Sequence, residues 1–151
     1  MSEERQSVNM DEFAEKFANV YFIKLLFKED IKIPHETLYT KLEEAFGEVD
    51  KVATGELSSY ALCKHVVTYQ GGEVPSQVMI TNTIPFDQTT IPEMAMYQCW
   101  TCDDAKALLQ SCSYEVMVGD FMAGGLEIEE RCQMIAKYVD ILLEVFPECI
   151  A

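Results

Sequence analysis

Ser59-Tyr60-Ala61-Leu62-Cys63-Lys64-His65-Val66-Val67-Thr68-Tyr69, then Gly71-Gly72, then Pro75-Ser76-Gln77-Val78-Met79-Ile80-Thr81-Asn82-Thr83 is the stretch that decides the fold. Two runs rich in β-branched and aromatic residues, joined by paired glycines, read as an antiparallel hairpin. Glycine adopts the positive φ of a tight connection without the steric penalty that a Cβ brings. The middle of the chain is therefore β-structure.

Upstream, Val20-Tyr21-Phe22-Ile23-Lys24-Leu25-Leu26-Phe27 is too continuously apolar for an exposed edge and predicts a central strand. Pro34 opens a helix whose stripe is Leu38, Leu42, Ala45 and Phe46, with Glu36, Glu43 and Glu44 outside and Gly47 at its end. Asn9 caps a short helix carrying Phe13, Ala14 and Phe17, so residues 1–18 read as a helical extension. Downstream, residues 84–97 form a loop with room for one short helix. Thr101 caps a helix carrying Ala105, Leu108 and Leu109, and Tyr114–Val118 is a strand ending near Gly119-Asp120. After Gly124-Gly125 the longest helix runs from Leu126 to Phe146, with Cys132, Ile135, Ala136, Val139, Leu142 and Leu143 at helical spacing, until Pro147 stops it.

The expected fold class is α+β. A ferredoxin-like β-α-β-β-α-β sheet has its helices on one face, and an additional long C-terminal helix follows. Residues 1–151 make one domain, and the apolar ending Cys149-Ile150-Ala151 leaves room for a further strand in a longer chain.

Composition narrows the function classes. A chain of 151 residues with 49% hydrophobic and 25% charged residues buries a core without staples. No apolar run approaches the roughly 20 residues of a membrane span. Met1-Ser2-Glu3-Glu4-Arg5-Gln6 lacks the basic-then-apolar pattern of a secretory leader, so a cytoplasmic location is expected. Lys and Arg number 11 against 26 Asp and Glu, a formal net charge of −15. Such a surface repels nucleic acid and anionic membrane and steers basic partners inward, although acidic surfaces also serve solubility alone.

Certain residues resemble the landmarks of an uncharacterised bacterial family, domain of unknown function 4261. They are Tyr21–Phe27, Val74–Ile80, Gln98-Cys99-Trp100, Tyr114–Asp120 with Met122-Ala123, and Arg131. The similarity covers most of residues 20–149. It implies the fold and no particular substrate or cofactor. Family members usually continue past this chain's end, and the resemblance is compatible with a role in phage, mobile-element or toxin-immunity conflict.

Several residues are candidates for chemistry. Cys99-Trp100-Thr101-Cys102 at a helix start has the spacing of a redox pair or of half a zinc site. Asp103 and Asp104 disfavour a thiolate there, and no second Cys-x-x-Cys supplies further ligands. All six cysteines, Cys63, Cys99, Cys102, Cys112, Cys132 and Cys149, read by default as buried reduced thiols; Cys63 and His65 share one side of a strand. His35 falls in a helix's first turn and is expected exposed, while His65 reads as a strand residue with a satisfied ring. Gly119–Gly125 resembles an anion-holding loop before a helix but lacks the lysine and hydroxyl of a phosphate loop. Asp120 and Arg131 are placed to form a structural ion pair. Trp100, the sole tryptophan, and Gln98 suit partner anchoring, against the commoner fate of a core tryptophan.

These readings favour a non-enzymatic acidic domain that binds a protein with a basic surface, as an inhibitor or immunity protein would. Its contact residues would be Glu36, Glu43, Glu44, Glu127, Glu129, Glu130, Gln98 and Trp100. No cofactor, direct nucleic-acid contact or membrane contact is expected. The alternatives are a thiol- or zinc-dependent protein centred on Cys99 and Cys102, or a homodimer formed through an uncovered sheet face.

Overall fold

The computed structural model of the chain describes residues 19–69 and 71–151. The helix expected across Asn9–Phe17 lies outside them.

The elements are β1 (Phe22–Phe27), α1 (His35–Phe46), β2 (Val49–Ala53), β3 (Leu57–Tyr69), β4 (Gly72–Thr81) and β5 (Ile84–Pro85). A 3-10 turn (Gln88–Thr90), α2 (Glu93–Tyr97), α3 (Ala105–Ser111), β6 (Tyr114–Phe121) and α4 (Ile128–Val145) follow. The β3–β4 hairpin turns at Gly71, with φ +77°. Tyr69 faces Gly72, so β4 begins before Pro75. Pro75 sits opposite Val66, where the register between Leu62 and Val66 slips. That irregularity accommodates a residue with no N–H to give the ladder.

The sheet order is β1-β6-β4-β3-β2, with β5 also on β6, and every pair is antiparallel. The α+β class holds, but the strands depart from the β-α-β-β-α-β plan. First, β2 is an additional strand. Only Val49 of its five residues is buried, so the segment carries no alternation to betray it. Second, β6 lies between β1 and β4, which makes β1 an edge strand rather than a central one. The second half of the apolar run is covered by other means, while Tyr21 and Phe22 are exposed. Leu25 and Phe27 enter the core. Leu26 donates its amide to Ala151 O and accepts from Ile150 N, both at 2.8 Å, so the C-terminal residues seal that part of the edge.

α1 and α4 pack side by side on one sheet face. Leu38, Leu42 and Phe46 of α1 and Met134, Tyr138, Ile141 and Leu142 of α4 share a cluster with Tyr60, Leu62, Val78, Ile80, Val116 and Val118. Burying each large apolar side chain contributes roughly 1.5–3 kcal/mol. Phe27 and Phe146 meet edge-to-face at 5.6 Å. The buried stripe of α4 is Arg131, Met134, Tyr138, Ile141 and Leu142, so Cys132 and Leu143 of the expected stripe face solvent. Polar-ended Arg131 and Tyr138 lie outside the expected apolar stripe, yet both are held inside by hydrogen bonds.

Successive strand residues face opposite sides. Lys24 therefore lies on the face opposite the core, where its Nζ reaches Thr90 Oγ1 at 3.4 Å. The 3-10 turn is thus tied to the second face at Thr90, while α1 and α4 cover the first. Thr101 precedes α3 in a turn and does not cap it; Asp104 occupies the cap position. β6 ends at Phe121, beside the Gly119-Asp120 pair expected to end it. Among the described residues no helix is long and apolar enough to cross a membrane.

Candidate partner-binding surfaces

The α2–α3 segment presents large apolar side chains to solvent. Met94 and Tyr97 are three apart on α2, and hence on one helical face. They are 74% and 70% exposed, and Trp100 is 85% exposed. The commoner fate of a lone tryptophan, burial in the core, is not this residue's. α2 ends at Tyr97 because Gln98 caps it through the carbonyls of Ala95 and Met96. The chain then turns, and Trp100 Nε1 donates to Tyr97 O, which folds the indole back over the helix end. Gln98 is exposed beside it, at the helix end. A cavity of about 490 Å³ opens here, lined by Glu93, Met96, Tyr97, Cys102, Asp103 and Lys106 among others. Cys99, exposed, and Cys102, half-buried, both border it.

A second surface is the outer side of α1 and α4. Glu43, Glu44, Glu127 and Asp140 are exposed and have no ion-pair partner among the described residues. The other named carboxylates are partly engaged. Glu36 pairs with Lys51 at 3.1 Å, Glu130 with His65 at 2.9 Å, and Glu129 accepts from Gln133 at 3.2 Å. Lys41 bridges from α1 to Glu144 of α4 at 3.0 Å. Glu144 is largely in water and Lys41 partly so, which leaves this pair contributing little to stability.

Asp120 and Arg131 meet at the junction of β6 and α4. Arg131 Nε lies 2.7 Å from Asp120 Oδ2, and Nη2 lies 3.0 Å from Oδ1. Nη2 also donates to Asn19 O at 2.8 Å, and Tyr21 N donates to Asp120 Oδ1 at 2.9 Å. The guanidinium stacks 4.2 Å over the Tyr21 ring. Arg131 Nε and Nη2 and both Asp120 oxygens have partners, so the knot fastens the entrance of β1. The same entrance passes so close to Gly119 that a Cβ there would stand 2.3 Å from Tyr21 O.

The strand carrying Cys63 and His65 separates them. Its register slips between Leu62 and Val66. Cys63 Sγ turns to Asp50 on β2 at 3.5 Å, while His65 Nδ1 reaches Glu130 on α4 and its ring meets Phe46 edge-on at 5.7 Å. Burial, then the neighbouring Asp50, pushes the Cys63 thiol up. His35 is half-buried, with Nδ1 3.0 Å from Tyr60 Oη, not solvent-facing. All six cysteines are free thiols, and only Cys112 is buried. The expectation of buried thiols therefore fails for Cys99 and Cys132, which are exposed, and holds only partly for Cys63, Cys102 and Cys149. Among the described residues no three His, Cys, Asp or Glu side chains converge as a metal site. In the 119–125 segment Met122, not a glycine, takes the positive φ, 60°.

Sequence reasoning missed the His65–Glu130 contact, the Lys24–Glu115 pair at 3.2 Å, and the Met94–Tyr97 half of the exposed shelf. The first two join residues 65 and 91 positions apart and left no local trace. The i, i+3 spacing of Met94 and Tyr97 was legible, but such a pair equally describes a core face.

No family model, curated protein or solved structure matches this chain.

Proposed function

We propose that the protein is a non-enzymatic, acidic protein-binding domain that engages the basic surface of a partner, as an inhibitor or immunity protein does. The observation that carries this reading is the side-by-side packing of α1 and α4, whose exposed carboxylates Glu43, Glu44 and Asp140, with Glu127 at the start of α4, outnumber the cations Lys41 and Lys137 on the same pair of helices. Like charges held by a rigid helical pair repel one another, and a cationic surface docking there relieves that repulsion. On a net charge of −15 the same field accelerates approach of basic proteins and rejects acidic ones. The resemblance to domain of unknown function 4261 and a bacterial cytoplasmic setting belong to this proposal and add no substrate to it.

The test is affinity purification from the native host at two ionic strengths. A partner with a basic surface should be retained at about 50 mM salt and released at about 500 mM, where screening removes most exposed-charge attraction. Lysine at positions 43, 44, 127 and 140 should abolish capture with the fold intact. Retention indifferent to both changes would overturn the reading.

A further inference from the structure

We propose that the cavity between α2 and the Cys102–Lys106 turn receives one arginine side chain of a peptide segment in the partner, with Tyr97 and Trp100 covering the residues beside it. This deepens the acidic-domain reading by naming a contact chemistry, and it is located away from the α1–α4 layer.

Three observations converge. The cavity, about 490 Å³, lies within the range of small-ligand clefts, about 300–1,000 Å³. Its charged lining is two carboxylates, Glu93 and Asp103, against one cation, Lys106, so it retains a negative excess. Neither carboxylate has a hydrogen-bond or ion-pair partner among the described residues. Tyr97 lines the same cavity and Trp100 stands beyond it, both largely in water. Aromatic rings so exposed bury little surface in the free molecule, and binding hot spots are enriched in tryptophan and tyrosine. A planar guanidinium suits this set better than an ammonium. It binds a carboxylate through two parallel N–H groups while its face stacks on an aromatic ring. Apolar neighbours of that arginine would cover Met94 and Trp100.

Trp100 is the only tryptophan, so its fluorescence reports on this place alone. The probes are the capped tripeptide leucyl-arginyl-leucine, the same peptide with uncharged, isosteric citrulline for arginine, and leucyl-glutamyl-leucine. The arginine peptide should shift Trp100 emission to the blue in a saturable one-to-one titration. The citrulline peptide should bind at least about tenfold more weakly, since it lacks the charge-assisted bonds. The glutamyl peptide should produce no shift. Glu93→Gln with Asp103→Asn should reduce arginine-peptide affinity by a similar factor while circular dichroism and the melting temperature stay unchanged. Trp100→Ala, read by calorimetry, should weaken binding without altering the fold. Equal shifts with arginine and citrulline, or none with arginine, would overturn the proposal. Lysine substitutions on α1 and α4 should leave tripeptide binding unchanged, so failure of the cavity and failure of the acidic layer are told apart.

Discussion

Arg131 Nε stands 2.7 Å from Asp120 Oδ2, with both side chains almost wholly removed from water and a second contact from Nη2 to Oδ1. A buried pair of this kind contributes little beyond what a matched apolar pair would, yet breaking it from one side strands a charge. Asp120 also anchors the Tyr21 amide, and Arg131 the Asn19 carbonyl. One knot therefore sets where β1 begins relative to β6 and α4.

Arg131→Met should accordingly destabilise the fold by about 3–5 kcal/mol in chemical denaturation, because Asp120 is left charged and unpaired. Asp120→Asn combined with Arg131→Met should recover much of that loss. A single-mutant cost under about 1 kcal/mol would show that water or a neighbouring group replaces the guanidinium.

Stability should fall at alkaline pH through the core tyrosines. Tyr138 donates to Met79 O at 2.8 Å, and burial pushes its phenol far above the ordinary value of 10. Tyr60 is raised by burial and then by Glu36. The folded state keeps a proton that the unfolded chain releases near pH 10. The linked stability is thus fully present below about pH 10 and is lost as pH rises further. Urea midpoints measured upward from neutral pH should drop beyond about pH 10. Tyr138→Phe should flatten that drop and cost about 1 kcal/mol at neutral pH. An unchanged alkaline slope would place the titrating group elsewhere.

The C-terminal seal on β1 predicts a local effect. Ile150→Pro removes the donor to Leu26 O and should cost about 1 kcal/mol. It should also speed hydrogen exchange at the Leu26 amide, whose acceptor is Ala151 O. Exchange at Val78, in the interior strand β4, should respond only as far as global stability falls. Protection of Leu26 unchanged by the substitution would mean that the edge is closed by something other than these two residues.

Local pattern sufficed for most elements. The glycine turn and the β-branched runs beside it specify the β3–β4 hairpin within some twenty residues, and Pro34 and Gly47 bracket α1 at nearly its observed limits. β2 was illegible because four of its five residues face water. The buried face of α4 was misplaced because Arg131 and Tyr138 count as polar until Asp120 and the Met79 carbonyl receive them. Of the candidate contact residues, carboxylate identity and spacing were visible in the sequence. Their engagement was not, since Lys51 and His65 approach Glu36 and Glu130 only through tertiary packing.

By itself, the amino-acid sequence determined an α+β domain with an acidic exterior, a central hairpin and a long final helix, because period, turn chemistry and charge are properties of neighbouring residues. Tertiary structure alone decided that β6 separates β1 from β4, that Trp100 stands in solvent, and that Ile150 and Ala151 seal the edge of β1. Those outcomes follow from which surfaces exclude water together, and segments far apart in the chain settle that jointly.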